Sequence, residues 1–523
     1  MFHWNSFRPE DPEGTLWDVV IVGTGMGGSV LGWSLARQNL SVLFLERGTP
    51  PDPFSSVPRA GYWHRQITAH RDGRTVELDP WLGSGPGGST TIYGAALERL
   101  RREDFAAGEH NALQPPPLSG DWPISYDDLI PYYRKAEALL KVRGTVDRTD
   151  PDDDSVLLPP PPLSERDRQL FESFQAAGLA PYRLHVGIDY KPGCAECLGT
   201  LCPRECKADA ANCALKPALI DCHARLLCGF EVERLGAAED HIEYVVGKLG
   251  NRAAKIRGRV VVLAAGALST PVLLLSSTSE RWPTGVGNDS GLVGQGLMFH
   301  VSEFFALWST RKFPPVGSAR AISSRALNCV DGRKLGAIQS VAATVHPFHI
   351  STALIKLIER SLGINIPFLK YPIMIGAVLG ASIIRRAALF ATIVEDLPYR
   401  DNRVALDKAS PSGFAIVYSN SEELRTRVRM MRKIIRKRLA RHRVLFLPLD
   451  DNLNYGHPSG TCRFGKCPET SVLTPDNQVR GIRNLFVVDA SFFPSSGGIN
   501  PSLTIAANAL RVASIIPRRL EGN

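Results

Sequence analysis

The run Asp18-Val-Val-Ile-Val-Gly-Thr-Gly-Met-Gly-Gly-Ser constrains this chain more than any other stretch. Its apolar opening suits a strand buried on both faces of a parallel sheet. Gly23, Gly25 and Gly28 follow in G-x-G-x-x-G spacing. In that pattern the first glycine permits a tight turn and the second lets backbone approach a pyrophosphate. The third lets the next helix pack close to the strand. The spacing predicts that helix over Ser29 to Gln38, its N-terminal amides turned to the phosphates. A second strand, Ser41-Val-Leu-Phe-Leu-Glu, ends at Glu46, 18 residues after Gly28, where an acid binds ribose hydroxyls. The turn reads as a dinucleotide site with Gly23, Gly25, Met26, Gly28 and Glu46 as contacts. The motif alone does not separate FAD from NAD; its place in a chain of 523 residues favours FAD.

That length fits two or three domains, and 44% hydrophobic with 22% charged residues is the balance of a globular enzyme. A mostly disordered chain and a multispan membrane protein are excluded. The net charge of +9 is unevenly placed: residues 421–443 hold ten Arg and Lys against two Glu, leaving about +1 elsewhere. Nucleic-acid proteins spread such charge over several basic surfaces, so no nucleic-acid partner is expected. The opening MFHWNSFRPEDPEGTLWDVV has acids and no apolar core of signal length. The longest apolar run, Tyr371 to Ile384, has 14 residues, where a spanning helix needs about 20. A cytoplasmic enzyme is expected. Seven of the ten cysteines lie between Cys194 and Cys228, a crowding that reads as a local site or a local accident, not as a disulfide framework.

Three elements crowd residues 457–511. His457-Pro-Ser-Gly-Thr-Cys sets a histidine at a turn. Asn484-Leu-Phe-Val-Val-Asp-Ala-Ser is a buried strand ending in Asp489. Gly497-Gly-Ile-Asn-Pro-Ser-Leu-Thr opens a helix with Asn500 as N-cap and Pro501 in its first position. A reduced flavin is negative at its pyrimidine side, and the positive end of a helix stabilises it. A neighbouring histidine can take the proton of an alcohol while hydride leaves for the flavin. Further motifs lie between these and the first turn: GPGGSTTIYG at 85–94, VVVLAAGALSTPVLLLSS at 260–277 and EDLPYRDNRVALD at 395–407. With HPSGTCRFG at 457–465 and NLFVVDASFFPSSGGINPSLTIAANALR at 484–511, the whole series resembles the glucose–methanol–choline (GMC) family of FAD-dependent alcohol oxidases and dehydrogenases.

The resemblance implies an α/β fold: a discontinuous, Rossmann-like FAD domain and an α+β substrate domain on an antiparallel sheet. It implies His457 as general base and Asn500 as the second member of the catalytic pair, histidine in some relatives and asparagine in others. Asp489 and the Ala490 backbone match contacts to the ribityl and pyrophosphate groups, with Pro501 at the helix start. Gly88, Ser89 and Thr90 match the loop beside the isoalloxazine, and Val232 the residue whose backbone meets adenine. Two positions depart. Tyr93 stands where many members have asparagine. Ile92 stands where some attach FAD through histidine, which implies non-covalent FAD.

Cys194, Cys197, Cys202 and Cys206 lie in one loop, followed by Lys207. Four thiolates this close can hold an iron–sulfur cluster or zinc, though the usual zinc and ferredoxin spacings fit poorly. Structural cysteines or an occasional disulfide are the other reading. The resemblance supports both: several bacterial members have a Cys-rich loop without known metal, while some sugar dehydrogenases hold a three-iron cluster on cysteines spaced like the last three here. A cluster would make the chain a dehydrogenase that passes electrons outward.

The FAD domain is expected over 13–115, 205–300 and 445–523, a loop-rich covering segment over 116–204, and the substrate domain over 301–444. Within the last, 351–394 is strongly apolar and reads as helices buried over the sheet, or as a lid or membrane-surface contact. Residues 421–443 read as a surface helix packed by Leu424, Val428, Met431 and Ile435, or as a docking face for anionic lipid or an acidic acceptor. The expected activity is oxidation of a bulky, apolar alcohol, with O2, a quinone or a redox protein as final acceptor. An FAD-containing lyase and a non-catalytic redox subunit are the rival classes.

Overall fold

The structure, a computed structural model, describes the chain except residues 1, 53, 58, 80, 111–117, 312–319, 343–350, 352–354, 356–369, 448–451 and 522–523. Its first sheet centres on the strand Leu16–Val22, paired in parallel with Val42–Glu46 on one side and Arg252–Leu263 on the other. Arg225–Cys228 and Leu485–Val487 extend it, also in parallel. Val19, Val20 and Ile21 are fully buried, as a strand covered on both faces requires. The strand Arg252–Leu263 outruns these neighbours. Its first half pairs antiparallel with Ile242–Leu249, which in turn pairs with Phe230–Ala237.

The helix Met26–Ala36 begins three residues ahead of the expected Ser29, because Gly25 takes the N-cap. It packs against the C-terminal helix Ser502–Glu521. The helix Tyr126–Leu139 starts at a full capping box of Ser125 and Asp128. It lies on the C-terminal helix too, where Tyr133 Oη and Thr504 Oγ1 meet at 2.8 Å. The α/β class expected from the sequence is the class observed.

A second, antiparallel sheet runs in the order Ser323–Ser324, Gly336–Ser340, Ala388–Val394, Phe304–Leu307, Val444–Phe446. Met298–Val301 joins it through Ala388–Val394 and carries Leu453–Ser459 on its other side. The last pairing is irregular: Asn454 faces His300 and Ser459 faces Met298, so several residues on one strand answer to two on the other. Such a bulge re-aims the side chains within it, and His457 lies there.

The basic segment forms the helix Glu422–Arg438, capped by Ser421. Leu424, Met431 and Ile435 of its apolar stripe are buried. Arg427 is buried as well, its guanidinium donating to Glu423 Oε1 at 3.1 Å and Glu395 Oε2 at 3.3 Å. A second buried ionic group lies at Asp104, which accepts from Lys334 Nζ, from Arg325 Nη2 at 3.2 Å and from the Arg101 amide at 2.6 Å. All three charged side chains are almost wholly out of water. They tie the 101–104 segment to the two-stranded hairpin Cys329–Val330/Arg333–Lys334.

Candidate active site and cofactor cradle

The first turn is built as its glycines require. Gly23 has φ +99°, and a Cβ there would strike the Ala264 carbonyl oxygen at 2.4 Å. A Cβ on Gly28 would strike the Gly23 carbonyl oxygen at 2.2 Å, so Gly28 lies beneath the turn and not in the cleft. A Cβ on Gly25 would meet nothing within 4 Å. That open space sits before the first amides of Met26–Ala36, where backbone donors face an anion.

Glu46 ends its strand buried beside this turn. Its Oε2 accepts from Thr24 N at 3.1 Å and Thr24 Oγ1 at 2.6 Å, and its Oε1 from Gly48 N at 2.9 Å and Gly85 N at 3.2 Å. Gly87 N also donates to Thr24 Oγ1 at 3.3 Å. The carboxylate therefore pins the second glycine loop onto the first, its roughly four acceptor sites each taken by one of these donors. The two loops touch: a Cβ on Gly88 would lie 3.0 Å from Gly25 Cα. Thr24, the bridge between them, has no signal in the motif beyond its place between glycines.

One cleft collects most of the expected cofactor contacts. Gly23, Gly25, Met26 and Glu46 line its first end, with Glu231 and Val232 beside them. Gly88, Ser89 and Thr90 form one wall, and Asp489, Ala490 and Pro501 another. Asp489 is buried, accepting from Gly266 N at 2.9 Å, Thr270 Oγ1 at 2.5 Å and Ser491 N at 2.9 Å. Burial raises its pKa, while these donors oppose the rise.

His457 lines the same cleft. Its Nδ1 lies 3.0 Å from Nδ1 of His300, whose Nε2 lies 2.7 Å from the Gly497 carbonyl oxygen. A carbonyl only accepts, so His300 carries its proton on Nε2. Burial pushes His300 down to about 4. Burial, with His300 beside it, pushes His457 down to about 3. Both rings are therefore neutral near pH 7. A neutral His300 with its proton on Nε2 has a bare Nδ1, so His457 Nδ1–H donates to it. The lone pair of His457 is thereby placed on Nε2. Asn454 Nδ2 lies 3.3 Å from His457 Nδ1, which is protonated in this tautomer and does not accept, and it donates to Ser302 Oγ at 3.5 Å.

Asn500 is not among the residues lining the cleft. It is half-buried just ahead of the helix Ser502–Glu521, and its Oδ1 is buried without a hydrogen-bond partner. The open space at Gly25 and a cleft lined from Glu46 to His457 fit an extended dinucleotide such as FAD. Ile92 is buried and carries no atom that could link to a flavin.

The cysteine loop lends the cluster reading no support. Among the described residues, no group of three or more His, Cys, Asp or Glu is placed to hold a metal ion. Cys206 is buried in a small apolar cluster with Ala95, Ala96, Leu184, Val186 and Ile188, and its amide donates to Cys202 Sγ at 3.2 Å. The loop packs on Thr91 and Ile92. Gly199 N donates to Ile92 O at 2.8 Å, and buried Lys207 Nζ donates to Thr91 O at 2.6 Å and Thr200 O at 2.8 Å. Burial pushes that ammonium down to about 8. Anaerobically purified protein is expected to carry no stoichiometric iron by metal analysis; iron at cluster stoichiometry would establish the cluster reading instead.

Sequence profiles of the GMC oxidoreductase family match residues 17–302 and 398–509. Paromamine 6'-oxidase of Streptomyces fradiae is 29% identical over 527 residues, covering 96% of this chain and 91% of that one. The 6'''-hydroxyparomomycin C oxidase of Streptomyces lividus is 30% identical over 545 residues, covering 97% and 92%. Among solved structures, pyridoxine 4-oxidase from Mesorbium loti superposes with a TM-score of 0.65 at 20% identity, over 95% of this chain and 99% of that one.

Proposed function

The chain belongs to the glucose–methanol–choline oxidoreductase family, and from that premise we propose that it oxidises an alcohol with His457 as base and non-covalent FAD as electron acceptor. The observation that carries the reading is the His457–His300 pair, which leaves Nε2 of His457 unprotonated in the cleft. Bound there, FAD supplies the acceptor for the hydride of the alcohol carbon. The protein does the rest. His457 Nε2 takes the hydroxyl proton. Asn500, which precedes the cleft-lining Pro501, is assigned the substrate oxygen through its amide. The first-turn amides of the helix Ser502–Glu521 favour negative charge in front of them. His300 touches no reacting atom in this scheme; it positions His457 and fixes its tautomer.

The substrate is a bulky alcohol. An apolar one was expected from the apolar stretch 351–394. The described helix of that stretch, Lys370–Ile384, turns large side chains to solvent, which weakens that inference. The two Streptomyces relatives are named for aminoglycosides. An alcohol on a polar, amine-bearing glycoside therefore stands as a second reading. Anaerobic titration of the holoenzyme with both classes tests them. Bleaching of the flavin identifies the substrate class, substrate consumed without bleaching indicates a lyase, and no response to any alcohol overturns the proposal. Molecular oxygen, a quinone and a redox protein remain the candidate final acceptors.

Acid precipitation is expected to leave the FAD in the supernatant. The reason is Ile92, a hydrocarbon at the position where linkage would need a histidine. Yellow colour retained in the washed pellet would contradict this.

A further inference from the structure

The helix Lys370–Ile384 is built inside out. On one side Ala377 and Ala381 are fully buried and Ile384 nearly so. Ile384 packs with Ala306, Ala387 and Leu389 against the second sheet. On the other side Tyr371 is 80%, Ile375 66% and Leu379 63% exposed, with Met374, Val378 and Ile383 also in solvent. These positions recur at helical spacing and form one stripe. A helix folded for water does the reverse, burying its large apolar groups. A contiguous exposed apolar stripe marks an interaction surface.

The charge around the stripe indicates what covers it. The sequence has no Asp or Glu from residue 360 to residue 394. Arg385 and Arg386 follow the helix and are exposed. Trp308 Nε1 donates to the Ile383 carbonyl at 3.3 Å, and exposed Arg443 stacks over the Trp308 ring at 4.7 Å. Arg436, also exposed, lies over Phe446 on the edge strand Val444–Phe446. Cations thus gather at the C-terminal end of an apolar stripe that has no acids of its own. At 15 residues the helix is about 22 Å long, short of the roughly 30 Å hydrocarbon core. Among the described residues, no helix is long and apolar enough to cross a membrane.

We propose that Lys370–Ile384 is an interfacial anchor. Its stripe of Tyr371, Ile375 and Leu379 lies in the headgroup–acyl boundary of an anionic bilayer, and Arg385, Arg386 and Arg443 meet the lipid phosphates. The docked enzyme would meet acceptors or alcohols dissolved in lipid.

Sedimentation of the holoenzyme with vesicles tests this without any turnover. Binding is expected with vesicles of phosphatidylcholine mixed with phosphatidylglycerol. It should be weaker with phosphatidylcholine alone and weakened by added salt. The double variant Ile375→Glu/Leu379→Glu is expected to lower partitioning roughly tenfold or more, with flavin absorbance unchanged. Arg385→Ala/Arg386→Ala, which leaves the stripe intact, should abolish most of the preference for phosphatidylglycerol. Failure of the wild-type holoenzyme to sediment with anionic vesicles overturns the proposal, as does wild-type binding by the double variant. A dimer seen by light scattering that the double variant dissolves would assign the face to a second copy and equally overturn it.

Discussion

Replacing His457 by alanine is expected to slow anaerobic flavin reduction by alcohol roughly 10²- to 10⁴-fold, with FAD still bound. An alcohol gives up its proton far above neutral pH, so hydride departure is slow unless a base takes that proton. In the proposed reaction His457 is that base, with its Nδ1 committed to His300. The sign of the pH dependence follows. His457 is pushed down to about 3, so its neutral, proton-accepting form is present at all higher pH. The wild-type rate should hold level from neutral pH upward and fall only on acidification toward that value. In His457→Ala the plateau should vanish and the rate climb with pH, as hydroxide takes over. Asn500→Ala should lose rate while keeping the plateau, a single oxygen-binding donor being worth about 2.7–4 kcal/mol. His300→Phe, which removes the acceptor that sets the tautomer, should lose less than His457→Ala. Stopped-flow bleaching across pH measures all three. Wild-type rates at every pH in His457→Ala would leave the histidine a structural role only.

Asp104→Ala is expected to cost about 3–5 kcal/mol of stability, the range for removing one member of a buried ionic group. It would strand Lys334 and Arg325, which are 1% and 5% exposed, without their shared counter-charge. Burial alone would raise the Asp104 pKa. The Lys334 ammonium and Arg325 guanidinium outweigh it and hold the carboxyl below the usual range. A carboxyl lowered on folding stabilises the protein above its unfolded value, near pH 4. That contribution is lost as pH falls from there through the folded value. Thermal melting of the holoenzyme should therefore show a large drop for the variant at neutral pH and a smaller difference in acid. Equal melting at neutral pH would mean the cluster contributes nothing.

The first turn was legible because its demands are local: an apolar strand, three spaced glycines and an acid. Only the helix start was misplaced, at Ser29 instead of Met26, because Gly25 serves as cap. The second role of Glu46, holding Gly85 and Thr24, joins segments that no local pattern connects. His457 and Asn500 were assigned through the family resemblance; a histidine before proline carries little by itself. His300 was missed. It lies 157 residues from His457, and only the bulged pairing with Leu453–Ser459 brings the two rings together. Cysteine spacing offered a cluster or structural cysteines; Cys194 and Cys202 do pack beside Cys206, in an apolar surrounding, but the described residues form no group placed to hold a metal. Likewise, hydropathy measured how apolar 371–384 is and not which side faces water.

The parallel sheet also has a consequence for how the protein is made. Its strands come from three distant parts of the chain, and Leu485–Val487 pairs with Arg252–Leu263 only after nearly everything has been synthesised. Gly266 and Asp489, hydrogen-bonded across the cleft, belong to different ends of that process. Loop closure must precede such pairings, which makes them slow. A nascent chain that has not yet made Leu485–Val487 and Ser502–Glu521 has a nucleotide cradle still open on one side. Flavin capture is therefore expected to wait until that strand and helix have been made and close over the glycine turn.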